Sequence, residues 1–242
     1  MADNETWPAR LQTLMGRRVI NAAVSGYGFD QMVLRAELIA PELRPAAIVL
    51  SFIGDDARRG EMRRVWGAEK PYLDLVGGKL ELRNTPVPRA PDPVDTLDIW
   101  QTLFGWSVAL DALLKHKGWQ YEWAIDHERA LPRGRGELVA CALFKRLATL
   151  QVPVLVVAER DTYTWRNAEY AAEQAGIAAR MLKCAADAGF SALDLFPTID
   201  EVVKKRGYEA VFRSSHPSPV GTEAAAERIA RELSGRYIPP VR

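Results

Sequence analysis

Apolar and polar positions along this chain alternate with two different periods. Residues 17–24, 46–53, 152–158 and 190–196 read as strands. The second and third of these are apolar runs, the mark of strands covered on both faces. Elsewhere the period lengthens to that of a helix. Helices are predicted over residues 30–43, 136–150, 166–188, 198–206 and 222–233, the first with Met32, Leu34, Leu38 and Ile39 among its apolar positions. A short helix capped by Thr6 carries Pro8 in its first turn and Leu11 and Leu14 on its inner face, and Gly16 ends it. Pro45, Gly189 and Gly235 supply further stops. Strand, helix, strand in this order implies right-handed crossovers and a parallel sheet. The expected fold class is α/β, three layers (α/β/α) around a mainly parallel sheet, in a single domain over residues 1–242.

Residues of about 60–135 interrupt that rhythm. Two alternating segments, residues 72–76 and 79–82, flank Gly77-Gly78, which is a hairpin signature. Residues 84–93 are proline-rich. A long helix is predicted from Asp95 or Thr96 to Lys117, with Leu97, Trp100, Leu103, Phe104, Leu110, Leu113 and Leu114 facing inward. Five of the seven tryptophans lie between Trp66 and Trp123. Such density reads either as a small hydrophobic subcore or as the aromatic wall of a binding site.

Composition narrows the field only slightly. A chain of 242 residues is ample for a sizeable core. Lys+Arg 32 against Asp+Glu 31 leaves a net charge of +1, so bulk charge points to neither nucleic acid nor an anionic membrane. No apolar run approaches the ~18 residues of a membrane span. The first residues include Asp3, Glu5, Trp7 and Pro8 and no apolar core of a signal peptide, so the cytoplasm is expected if the chain is complete. Cys141 and Cys184 belong to no CxxC pair and are expected as buried free thiols.

Two sequence features invite chemistry. Ser25-Gly26-Tyr27-Gly28 lies between a predicted strand and a predicted helix, the position of a dinucleotide-binding loop, but Gln31 stands where such a loop has its third glycine. That rhythm alone keeps a flavodoxin-like nucleotide binder among the readings. His216, one of only three histidines, sits in Ser215-His216-Pro217-Ser218-Pro219-Val220-Gly221-Thr222 at a loop-to-helix junction. An imidazole titrates near neutrality, which suits a general base.

The His216 segment resembles the histidine block of the SGNH (GDSL-type) hydrolases. Residues 19–31 (VINAAVSGYGFDQ) resemble that family's second block, and Ser51-Phe52-Ile53-Gly54-Asp55-Asp56 its third. Asn4-Glu5-Thr6-Trp7-Pro8 looks like the segment that follows its nucleophile turn. The resemblance runs over nearly the whole chain. It implies a serine ester hydrolase with a flavodoxin-like sheet, acting on an acyl ester of a small molecule or a carbohydrate and calling for no cofactor and no metal. It implies that His216 is the general base, that Gly26 donates a backbone N–H to an oxyanion hole, and that Asp55 occupies the other donor position. Preorganised donors there are worth roughly 3–4 kcal/mol each.

This sequence departs from the family pattern at three points. No Gly-Asp-Ser occurs, so the nucleophile is absent; Ser25, Ser51 and Ser107 stand in other contexts, and Ser218 is too near His216. Asp55 replaces an asparagine, and an ionised carboxylate only accepts hydrogen bonds. Arg213 stands three residues before His216, where the family places an aspartate. The implied first strand is also missing, which leaves unpaired main-chain groups. The expectation is that Met1 is an internal methionine of a longer natural chain, and that the chain is an impaired hydrolase or, alternatively, an inactive binding relative.

Overall fold

A computed structural model describes residues 2–65, 68–87, 99–104, 107–117 and 135–237. In chain order the elements are α1 (Trp7–Met15), α2 (Phe29–Leu43), β1 (Ile48–Phe52), α3 (Gly54–Gly60), β2 (Arg64–Val65), β3 (Ala68–Glu69), β4 (Tyr72–Val76) and β5 (Lys79–Arg83). Then come α4 (Ile99–Phe104), α5 (Val108–Lys117), α6 (Gly136–Leu147), β6 (Val154–Ala158), α7 (Ala168–Asp187) and β7 (Ser191–Asp194). The chain continues with α8 (Phe196–Arg206), α9 (Tyr208–Val211), β8 (Phe212–Arg213), β9 (His216–Pro217) and α10 (Pro219–Arg236). The class is mixed α/β with a parallel sheet. The chain divides into two compact units, one of Met1–Ala23, Arg35–Gly54 and Phe144–Arg242, the other of Val24–Leu34 and Asp55–Leu143.

The first unit is organised by a three-stranded parallel sheet in the order β1-β6-β7. Val49 stands beside Leu155 and Ser51 beside Val157, and Val157 in turn beside Leu193. Every residue of the central strand β6 is buried, as its unbroken apolar run requires. Leu155, Val157 and Leu193 on one face join Leu11 and Met15 of α1 and Ala226, Ile229 and Leu233 of α10 in an apolar cluster. Each large aliphatic side chain so buried contributes about 2 kcal/mol. Val154, Val156 and Ala158 point to the other face and are equally buried. Helix α7 packs against β6 and β7 through Ala178, Met181 and Ala185. Its start is capped by Asn167, whose side chain accepts from the Tyr170 amide, and Gly189 with φ 88° follows its end.

The second unit contains the hairpin β4–β5, with Tyr72 opposite Arg83 and Val76 opposite Lys79. Gly77 and Gly78 turn it with φ of 56° and 80°, the left-handed pair that such a two-residue loop demands. Beneath lies a buried ion pair. Asp30, fully inaccessible, accepts from the Lys70 ammonium at 2.7 Å, and Lys70 is itself buried. Gly28 makes room for it: a Cβ there would lie 2.7 Å from Asp30 Oδ1 and 2.6 Å from the Arg59 carbonyl carbon.

Several expectations are corrected. Residues 17–24 form no strand. A strand exists only where a neighbour supplies hydrogen bonds, and here side chains supply them instead. Gln12 Oε1 accepts from the Val19 amide at 3.1 Å, Asn21 Oδ1 from the Ala23 amide at 3.1 Å, and Arg35 Nε donates to the Ala22 carbonyl at 2.6 Å. Ile20 and Val24 remain exposed. The single helix expected up to Lys117 is two, α4 and α5, separated in part by Ser107, which caps the second by accepting from the Leu110 amide at 3.3 Å. Trp100, Leu103, Phe104 and Leu113 of these helices are exposed rather than inward. Leu97 and the tryptophans at 66, 106, 119 and 123 lie outside the described residues. Gly235 lies inside α10 rather than ending it. Neither Cys141 nor Cys184 is a free thiol, since both are in disulfide linkage, and sequence spacing carries no signal for that.

Candidate functional site

In an open parallel sheet, ligands bind outside the carboxyl ends of the strands. In the first unit, Glu159 and Arg160 leave the end of β6, and Leu195 and Phe196 leave the end of β7. Together with Trp7, Trp165, Phe212, Pro217 and Thr222 they line a pocket whose enclosed part measures about 30 Å3. That is room for one water or a methyl-sized group.

The walls are aromatic. Trp165 stacks on Phe196 with ring centroids 5.4 Å apart and tilts against Phe212 at 4.8 Å. Its indole N–H donates to Asp200 at 3.2 Å, which fixes the ring. The Arg160 guanidinium, almost fully buried, donates to Asp194 Oδ2 at 2.7 Å and lies 5.6 Å from the Phe196 ring centre. Asp194 Oδ1 accepts from the Phe196 amide at 2.9 Å, so the carboxylate is held at both oxygens. The Ser51 hydroxyl at the end of β1 donates to Glu159 Oε1. Burial pushes the Glu159 carboxyl above its ordinary range, and the Ser51 hydrogen bond only partly offsets this. The lining is therefore charge-balanced: a matched Arg160–Asp194 pair beside a carboxyl that burial drives towards its neutral form.

His216 stands at the rim of this region. Its neighbour Pro217 lines the pocket, while the His216 side chain is exposed. β8 and β9 form a minimal hairpin in which Arg213 is the direct cross-strand partner of His216, turned by Ser214 with φ 57°. Two basic residues thus face each other where an orienting acid was expected. Among the described residues no carboxylate and no serine hydroxyl is hydrogen-bonded to His216. Ser218 is committed elsewhere. Its hydroxyl donates to the Ala210 carbonyl at 2.6 Å and accepts from the Val220 amide at 3.2 Å, which makes it the N-cap of α10. Gly221 lets α10 approach: a Cβ there would lie 2.7 Å from the Val211 carbonyl oxygen.

The other two sequence-predicted residues belong to the second unit and are described within it. Gly26 has φ 79° in a turn closed by the Tyr27 amide and the Val24 carbonyl at 3.3 Å, the conformation a turn glycine needs. No strand precedes it. Asp55 lies in the first turn of α3 and is bound by Arg58 Nε at 2.6 Å and Arg59 Nη2 at 2.6 Å. Arg59 also reaches Asp56, so this is a salt-bridged corner, and a carboxylate so engaged donates nothing. Sequence reasoning missed Glu159, Arg160 and Asp194. The signal available was a set of charged residues at the carboxyl end of apolar strands.

Among the described residues no helix is long and apolar enough to cross a membrane. No family model, curated protein or solved structure matches this chain.

Proposed function

We propose that this chain is an SGNH/GDSL-type scaffold of the ester hydrolase class, directed at short acyl esters of a small molecule or carbohydrate and catalytically impaired. The observation that carries the reading is the pocket at the carboxyl ends of β6 and β7, with Pro217 of the His216 hairpin in its wall. Its charge-balanced aromatic lining suits a neutral ester better than an anion. Its enclosed space of about 30 Å3 suits an acetyl methyl better than a long chain. His216 is exposed, and among the described residues it is paired with neither a nucleophile nor an orienting acid; loss of triad members lowers turnover by orders of magnitude.

The purified chain, treated with a fluorophosphonate probe and with p-nitrophenyl acetate, tests this. The expected result is no covalent label and a slow ester cleavage that falls to background in His216→Ala. A labelled serine overturns the impairment. Cleavage indifferent to His216→Ala overturns the assignment of the base.

A second reading, an inactive SGNH-like binding protein, is favoured by the engagement of Asp55 with Arg58 and Arg59. Trp7 and Trp165 line the pocket and report on it. Saturable quenching of their fluorescence by an acetyl ester, with no cleavage at all, decides for that reading.

A further inference from the structure

We infer that the free edge of β1 is a strand-addition site, and that its occupant is an extended, uncharged apolar segment that pairs with the main chain of Val49 and Ser51. The hydrogen-bond register fixes which groups are available. The Ile48 amide donates to the Pro153 carbonyl at 2.9 Å, and the Phe52 carbonyl accepts from the Glu159 amide at 2.8 Å. In a parallel ladder a residue turns its N–H and C=O to the same side, so the even-numbered residues of β1 face β6. Val49 and Ser51 turn theirs away from it. Among the described residues no strand pairs with that side of β1.

The sequence of β1 is not that of an edge. Natural edges are blunted by lysines, prolines or bulges. Residues 46–53 contain no charge and no proline, and the five-residue pairing with β6 is unbroken. Both faces of β1 are already covered. Leu50 and Phe52 are 5% and 2% exposed, and Val49 on the opposite face packs against the apolar cluster. A strand covered above and below, with open hydrogen-bonding groups at its side, is built as an interior strand.

The segment with strand-like alternation in the same unit does not supply the partner. The main chain of Val19, Ala22 and Ala23 is already engaged by side chains. Among the described residues of this unit no other strand-like segment lies unpaired, and the proposed occupant is an added segment. Its chemistry follows from its destination, since a strand beside β1 extends the sheet under the same apolar layers. The chain's own interior strand, β6, shows what such a position holds: Val, Leu, Val, Val and Ala, all buried.

The test uses the full chain and a fluorescent peptide with the β6 residues Val-Leu-Val-Val-Ala between pairs of lysines. Fluorescence anisotropy is expected to show saturable binding. Val49→Pro removes one N–H at the free edge and leaves the bonds to β6 in place, and it is expected to weaken binding about tenfold. The same peptide N-methylated at alternate residues, offered to the unaltered chain, is expected not to bind, which covers the case of a proline variant that fails to fold. Equal binding of the methylated peptide reduces the effect to apolar adhesion and overturns the inference. So does undiminished binding by a folded Val49→Pro chain. A dimer in sedimentation that Val49→Pro dissolves and the peptide does not displace assigns the edge to a second copy and overturns the proposed occupant.

Discussion

Replacing Lys70 by methionine isolates an ion pair of the second unit that is buried on both sides. The side chains of Lys70 and Asp30 are 6% and 0% exposed and meet at 2.7 Å. Burial raises the Asp30 carboxyl from 3.8 to about 6, with the Lys70 ammonium limiting the rise. Burial likewise lowers the Lys70 ammonium, against the pull of Asp30. A carboxyl whose folded pKa is raised gives stability that is full below its unfolded value and is lost as pH climbs through the folded one. At about 1.4 kcal/mol per unit, Asp30 disfavours the native chain by about 3 kcal/mol above pH 6, relative to acid. Without the ammonium the folded carboxyl rises further, and the penalty at pH 8 grows. Lys70→Met is thus expected to lose about 3 kcal/mol at pH 8, in line with the usual effect of breaking a buried pair. At pH 5 both chains hold Asp30 neutral, and methionine spares the desolvation of a lone ammonium. The variant should there be as stable as the parent or more so. Urea unfolding followed by circular dichroism at pH 5, 6, 7 and 8 measures the gap. A gap that does not change with pH would refute the reasoning, because it would mean that lost packing and not the Asp30 charge sets the cost. Asp30→Asn combined with Lys70→Met should recover most of the loss at pH 8, since the double variant buries no charge.

Glu159→Gln should stabilise the chain at pH 8 and leave it unchanged near pH 4, because burial raises the Glu159 carboxyl and only its ionised form is penalised; melting temperatures at the two pH values check this. Ser218→Ala removes the N-cap of α10 and should cost about 1 kcal/mol in chemical unfolding. Gly221→Ala forces a methyl to 2.7 Å from the Val211 carbonyl oxygen and should cost about 1–3 kcal/mol, with α9 and the β8–β9 hairpin the first to lose amide-exchange protection.

What could be read in the sequence were the elements whose signal is local. β1 and β6 announced themselves as apolar runs, β7 was read as a strand, and Gly77-Gly78 turned its hairpin as expected. Helices survive on their own caps and faces, so α1, α2, α6, α7 and α8 fell close to their expected spans. Elements whose signal is relational were harder. The two-residue strands β8 and β9 are too short for any period to show. α10 begins at Pro219 and not at Thr222, although Ser218 followed by proline is a recognised start. Residues 17–24 have the composition of a strand, but composition describes a surface that fits a sheet and supplies no neighbour to pair with. The same distinction explains β1 from the other side: its composition is that of an interior strand and its pairing is that of an edge.

The site divides along the same line. His216 was found because its signal is a short contiguous block, and the structure places that block beside a pocket through Pro217. Glu159, Arg160 and Asp194 were not found, because what makes them matter is the parallel alignment of β6 and β7, which brings Ala158 level with Asp194. Sequence distance hides that contact, while the sheet enforces it: Arg160 reaches Asp194 at 2.7 Å only because both leave neighbouring strands at the same end. Arg213 gives the converse case. As a substitution in a motif it read as a missing acid. As the cross-strand partner of His216 it is a guanidinium held directly opposite the imidazole, in a hairpin whose register leaves it no other place. An arginine in that position supplies no carboxylate to orient the imidazole. The loss of activity expected for this chain therefore does not rest on the absent serine alone. Restoring a nucleophile without also replacing Arg213 by aspartate should yield little turnover, and making both changes should yield clearly more than the sum of the two single gains.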